Sequence, residues 1–117
     1  MKQGKILVLM TASSEEEAEK VARALLKERL IACANLIPRI RSLYHWSGQL
    51  CDDRETLILC KTQQHLFSRL AERVKTLHSY EVPEMIAISL VDGWEPYFRW
   101  MEQETLSEAA LDQTPQE

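Results

Sequence analysis

The chain has 117 residues, enough for one hydrophobic core and short of two. Hydrophobic residues make up 45% and charged residues 27%, and with three glycines and four prolines a collagen-like or low-complexity chain is excluded. A formal net charge of −4 argues against a protein that grips nucleic acid by its phosphates.

No apolar run approaches the ~18 residues that a membrane span needs. The opening "MKQGKILVLMTASSEEE" has a six-residue apolar core and then turns acidic, the pattern of a first strand rather than of a secretory leader. The protein is therefore expected in the cytoplasm, with neither nucleic acid nor membrane as partner. Cys33, Cys51 and Cys60 are odd in number and lack C-x-x-C spacing, so neither a disulfide framework nor a local zinc site is expected. Cys33 and Cys60 read as small buried hydrophobes.

Residues 5–12, "KILVLMTA", are a short apolar run that suits a strand buried on both faces. In "SSEEEAEKVARALLKERL" Ser14 and Glu17 have capping-box spacing, and Glu15 and Glu16 suit the positive end of a helix dipole. Ala18, Val21, Ala22, Leu25 and Leu26 then recur at helical spacing. Residues 31–46 are extended and long, and Pro38 in their middle marks an edge strand or a bulge, because proline cannot donate to a ladder. "SGQLCDD" reads as a hairpin turn pivoting on Gly48. Residues 55–62 read as a central strand and 63–77 as a helix with Leu66, Leu70, Val74 and Leu77 on one stripe. Residues 85–90 form the last strand, and 94–106 a short aromatic helix with Pro96 in its first turn. The rest, "SEAALDQTPQE", is polar and expected to fray, so the domain is placed at residues 1–106 and a tail at 107–117.

The order β-α-β-β-α-β plus one helix predicts an α+β, ferredoxin-like sandwich with an antiparallel four-stranded sheet. First and last strands pair, and the hairpin lies on the far side. The fold alone does not select a function. Three cysteines are too few for a four-thiolate iron–sulfur cluster, and the loop "MTASSEEE" carries no cysteine pair for copper transfer. The strands at 5–12 and 55–62 hold no aromatics to stack RNA bases. Three glutamates at the first helix start would repel a phosphate, and no nucleophile motif such as G-x-S-x-G is present. An enzyme is not expected.

Ile40, Leu43, Tyr44 and Trp46 follow Pro38 on a strand too long for one small sandwich to cover. A bare apolar edge invites another chain, so a symmetric oligomer is expected to seal it through Pro38, Tyr44 and Trp46, with Trp100 of the last helix contributing. His45, between two aromatics, is assigned to the same interface, and His65 to solvent.

"VLMTAS", "ERLIACANLIP", "SLYHWSGQL", "ETLILCKT", "LHSYEVPEMIAI" and "YFRWM" together resemble the CutA family of divalent-cation tolerance proteins, across roughly residues 5–101. The resemblance implies a ferredoxin-like protomer and a homotrimer whose long hairpin strands pair between subunits. It implies a role in tolerance to copper and other divalent cations, an architecture like that of PII signalling trimers, and no defined catalytic reaction. It also implies metal ligands near the end of the first strand and just before the tyrosine, which are Met10 and His78 here, Leu77 standing where the family has a second histidine. Methionine suits Cu(I) and histidine several metals. His78, Tyr80, Pro83 and Glu84 complete the family pattern H-x-Y-x-x-P-E. Tyr80, Glu81 and Glu84 are expected to line a cleft where subunits meet, with Lys61 as the partner of Glu84. Such a cleft would hold a divalent ion or, in the PII-like alternative, a small metabolite.

Overall fold

In a computed structural model of the chain, which describes residues 4–113, the order is β1 (Lys5–Ala12), α1 (Glu15–Lys27), β2 (Cys33–Trp46), β3 (Gln49–Gln63), a 3-10 turn (Gln64–Leu66), α2 (Phe67–Leu77), β4 (Met85–Ser89), α3 (Glu95–Glu104) and α4 (Glu108–Gln113). The strands form one antiparallel sheet in the order β2-β3-β1-β4. This is the ferredoxin-like arrangement, with the first and last strands side by side and the hairpin on the far edge.

Alternation along β1 sends Ile6, Val8, Met10 and Ala12 toward the helices, where they pack with Ala18, Val21 and Leu25 of α1 and Leu70 and Val74 of α2. The Ser14 hydroxyl caps α1 by accepting the Glu17 N–H at 3.1 Å, and the Glu17 carboxylate reaches back to the Ser13 N–H at 3.0 Å. The reciprocal bond thus falls one residue earlier than in an ideal capping box.

The other sheet face carries Leu7 and Leu9 of β1, Leu57 and Leu59 of β3, Ile86 and Ile88 of β4 and Ile37 of β2, by their registers. Ile86 and Ile88 are exposed by 50% and 44%. α3 covers one end of this face, where Lys5 pairs with Glu102 and Gln63 donates to Thr105, and Met101 is fully buried.

Pro38 does sit at a break in the ladder. Register slips between Ile37 and Ile40, and Arg39 takes φ 58°. Beyond the break β2 and β3 continue as a two-stranded arm. Its turn is shorter than the seven residues expected. Ser47 (φ 52°) and Gly48 (φ 76°) alone make it, with the positive φ at both positions that a two-residue hairpin requires. Cys51–Asp53 therefore belong to β3, which starts at Gln49 rather than at Glu55. Polar residues do not stop a strand that stands in solvent. Here Arg41 clasps Asp52 across the arm through two bonds of 2.9 and 2.7 Å.

The end of the chain also differs from expectation. Glu108–Gln113 are helical, and Leu111 packs on the core. Leu111 against that surface, with the Ser107 hydroxyl accepting the Ala110 N–H at 3.1 Å, anchors a short helix that composition alone assigns to a fraying tail. Residues 114–117 of that tail lie outside the described residues.

Candidate functional site

α2 stops at His78, whose backbone turns extended (φ −85°, ψ 144°) while its N–H still bonds Val74 at 2.8 Å. The imidazole is buried with no exposed side-chain area. Its Nε2 lies 2.7 Å from the Thr11 carbonyl, which can only accept, so Nε2 carries the proton. Nδ1 then accepts the Tyr80 N–H at 3.1 Å. The ring stacks obliquely on Tyr80, centroids 4.6 Å apart. Both nitrogens are thus committed to backbone, and the side chain fastens the 78–84 corner to the end of β1.

Glu17 fastens the same corner from α1. Its Oε2 accepts the Ser79 N–H at 2.7 Å, and its Oε1 accepts from the Ser13 N–H and hydroxyl. Burial works against the charged form, but the bonds from Ser79 and Ser13 outweigh it and hold the carboxyl at about 2. The Tyr80 hydroxyl donates to Glu55, a carboxylate only 7% exposed. Burial, and then this bond, push the Tyr80 phenol well above its ordinary range. The Tyr44 hydroxyl donates likewise to Asp53, and that bond raises it to about 12. Both tyrosines are neutral phenols at pH 7 and offset none of the carboxylate charge.

Between the arm and this corner lies a cleft of about 570 Å³. Tyr44, Trp46 and Tyr80 supply aromatic walls, and Glu55, Glu81 and Glu84 supply carboxylates. Thr11, Ser42, Leu43 and Val82 complete the lining, which contains no lysine, arginine or histidine. Tyr80, Glu81 and Glu84 thus come together, and Tyr44 and Trp46, assigned to a subunit interface, join them. Lys61 does not. It lies six residues along β3 from Glu55, roughly 20 Å at strand spacing, and donates to Asn35 at 2.8 Å. The register that pairs Lys61 with Leu7, while Met85 pairs with Met10, keeps it from Glu84. Pro38 is half-buried at the ladder break, and Trp100 packs beside Tyr97 on α3, centroids 5.4 Å apart. His45 is exposed on the arm. His65 is partly buried against the Leu106 carbonyl at 2.9 Å rather than free in solvent.

Met10 is fully buried on the helix side of β1, whereas Thr11, its neighbour, lines the cleft from the other face. Met10 and His78 as they stand do not fit a metal. One is sealed in the apolar core, and the other has no free lone pair. Among the described residues no group of three or more His, Cys, Asp or Glu is arranged to hold one. Cys60 is buried, which raises its thiol to about 12 and suits an inert packing role.

Glu55, Thr11 and Ser42 were not singled out from the sequence, and Glu17 only as a helix cap. Glu55 left a signal there. It is in phase with Leu57 and Leu59, so a charge lies on an apolar strand face.

Fold and cleft together define a class: a ferredoxin-like α+β protein with a long β-arm that walls an acidic, aromatic cleft. Residues 6–104 match the sequence model described as "CutA1 divalent ion tolerance protein". The chain belongs to this CutA1 family. It is 46% identical over 99 residues to the divalent-cation tolerance protein CutA of Thermus thermophilus, covering 85% of this chain and 96% of that one. The solved Thermus structure superposes with a TM-score of 0.84 at 44% identity, over 86% of this chain and 98% of that one. CutA1 from Oryza sativa gives 0.87 at 35% identity, over 90% and 96%. A chloroplastic CutA of Arabidopsis thaliana is 38% identical over 100 residues, 86% of this chain. The match spans 55% of that relative's length, as it does of the mouse protein's. Among the described residues no helix is long and apolar enough to cross a membrane.

Proposed function

We propose that this chain forms a homotrimer acting in divalent-cation tolerance, and that it meets copper and other divalent cations weakly, through the carboxylates of the cleft. The observation that carries this is the cleft's charge: Glu55, Glu81 and Glu84 all line it, with no basic residue in the lining. The family membership and the names of the relatives support the cation role. Self-association is supported by Ile86 and Ile88, exposed on the apolar sheet face, and by the exposed Leu43, Trp46 and Leu50 on the arm, apolar surface that a partner chain would cover. A non-enzymatic role fits the displacement of Tyr80 away from neutrality and the distance of Lys61 from the cleft. The cytoplasm remains the proposed compartment.

A second reading, a PII-like trimer that senses a small molecule, draws on the cleft's size and aromatic walls. Two measurements test the first. Light scattering should give about three times 13.6 kDa. Calorimetry with Cu²⁺ should show weak binding that falls several-fold in Glu81→Gln/Glu84→Gln and persists in His78→Ala. A monomeric mass, or wild-type protein that takes up no Cu²⁺, would refute it.

A further inference from the structure

The end of α1 is closed in a way that the helix alone does not explain. The Leu30 N–H bonds the Leu25 carbonyl at 2.9 Å and the Arg29 N–H bonds that of Leu26 at 3.1 Å. This pair of bonds closes a helix over a left-handed residue, ordinarily glycine. Here that residue is Arg29, at φ 59°. An arginine held in the left-handed region is strained, and such strain persists only where the surroundings impose it. Those surroundings are the last part of the chain. The Arg29 guanidinium binds the Glu104 carboxylate at 2.8 Å and reaches the Glu104 carbonyl at 3.4 Å, at the end of α3. The Arg29 carbonyl accepts the Leu106 N–H at 3.0 Å, and His65 donates to the Leu106 carbonyl at 2.9 Å.

Between α3 and α4 the backbone runs extended at Thr105 (φ −122°, ψ 163°), whose buried hydroxyl accepts from Gln63 and donates to the Met101 carbonyl. Beyond this fixed point Leu106 and Leu111 pack on the core, and Ser107 to Ala109 are exposed. α4 lies over the 3-10 turn, whose Leu66 is fully buried. The bonds from Ala110 and Leu111 to Ser107 stay within the segment. A six-residue helix does not persist without tertiary contacts, so α4 melts when Leu111 leaves the core, and the bonds of Leu106 lose their support. The segment lies outside residues 6–104, the part matched by the family model. It is also remote from the cleft. Gln63 pairs with Lys5, six residues along β1 from Thr11 in the cleft wall, roughly 20 Å at strand spacing.

We propose that residues 106–111 form a strap across this end of the sandwich, which opens as one unit while the domain stays folded, and that Arg29 is its anchor. Opening uncovers the apolar end of the core at Leu66 and leaves the cleft undisturbed.

Native-state amide exchange of the full-length protein, read by NMR, tests this. The amides of Leu106, Ala110 and Leu111 should share one opening equilibrium and exchange faster than those of the β1–β3 ladder. Leu111→Ala removes a half-buried side chain and should speed all three by a common factor of about fivefold or more, with the ladder unmoved. Arg29→Gly keeps the left-handed turn and its carbonyl and removes only the guanidinium. It should speed the same three amides by about twofold to fivefold, the worth of an exposed ion pair, while Leu30 exchanges no faster than before. Strap amides as slow as the ladder, or a Leu111→Ala effect that spreads equally into the ladder, would make the segment part of the core and overturn the proposal. So would a Leu111→Ala effect that leaves Leu106 unmoved, since the segment would then not open as a unit. Unchanged Leu106 exchange in Arg29→Gly would overturn the anchor.

Discussion

Replacing His78 by alanine separates a fastening role from a metal-binding one. The substitution removes the donor to the Thr11 carbonyl and the acceptor of the Tyr80 N–H, both beside a ring with no exposed area. A net hydrogen bond is worth ~1 kcal/mol, and a buried partner left unpaired costs ~1–3 kcal/mol. Water entering the vacated space would recover part of that, so the expected loss is ~2–4 kcal/mol. For a domain of this size that lowers Tm by roughly 10 °C, compared at one fixed protomer concentration because an oligomer's Tm depends on it. His78→Gln keeps an amide N–H that can reach Thr11 and should recover about half the loss. Chemical denaturation of the three proteins, beside Cu²⁺ calorimetry of each in its folded range, reads both roles. If His78→Ala is as stable as wild type within about 0.5 kcal/mol, or loses copper binding outright while unfolding normally, the fastening argument is wrong.

Three further outcomes are expected. Glu17 has its folded value near 2, below the ordinary 4.5, so its stabilisation is complete above about pH 5 and is lost as pH falls toward 2. Glu17→Gln should cost ~2–3 kcal/mol at neutral pH, allowing for solvent screening, and flatten the acid limb of the stability curve; an unchanged limb argues against it. Gly48 holds φ 76° with open space around its Cα, so Gly48→Ala should cost ~1 kcal/mol from backbone strain alone, seen as faster amide exchange along the arm while the core keeps its protection. Lys61→Ala should lose only the bond to Asn35 and leave cleft binding within error, whereas a clear drop in copper affinity would place Lys61 in the site after all.

The local elements of this protein were legible residue by residue. The short apolar run "KILVLMTA", the capping pair Ser14 and Glu17 and the leucine stripe of α2 each state a backbone preference that needs no distant partner. The α+β order followed, and with it the sheet topology, because few ways exist to bury two amphipathic helices on four strands. Pro38 marked the break in the arm for the same local reason. The CutA resemblance brought Tyr80, Glu81 and Glu84 into view. What tertiary structure decided was where those side chains meet others. Register carried Lys61 to the far end of the sheet and brought Glu55, 25 positions before Tyr80, under its hydroxyl. Pleat put Met10 in the core and Thr11 in the cleft, one residue apart. The imidazole of His78 looked like a ligand in sequence. Folding spent both of its nitrogens on backbone groups of Thr11 and Tyr80, one of them 67 positions away, because a buried polar ring must be satisfied by whatever packing places beside it.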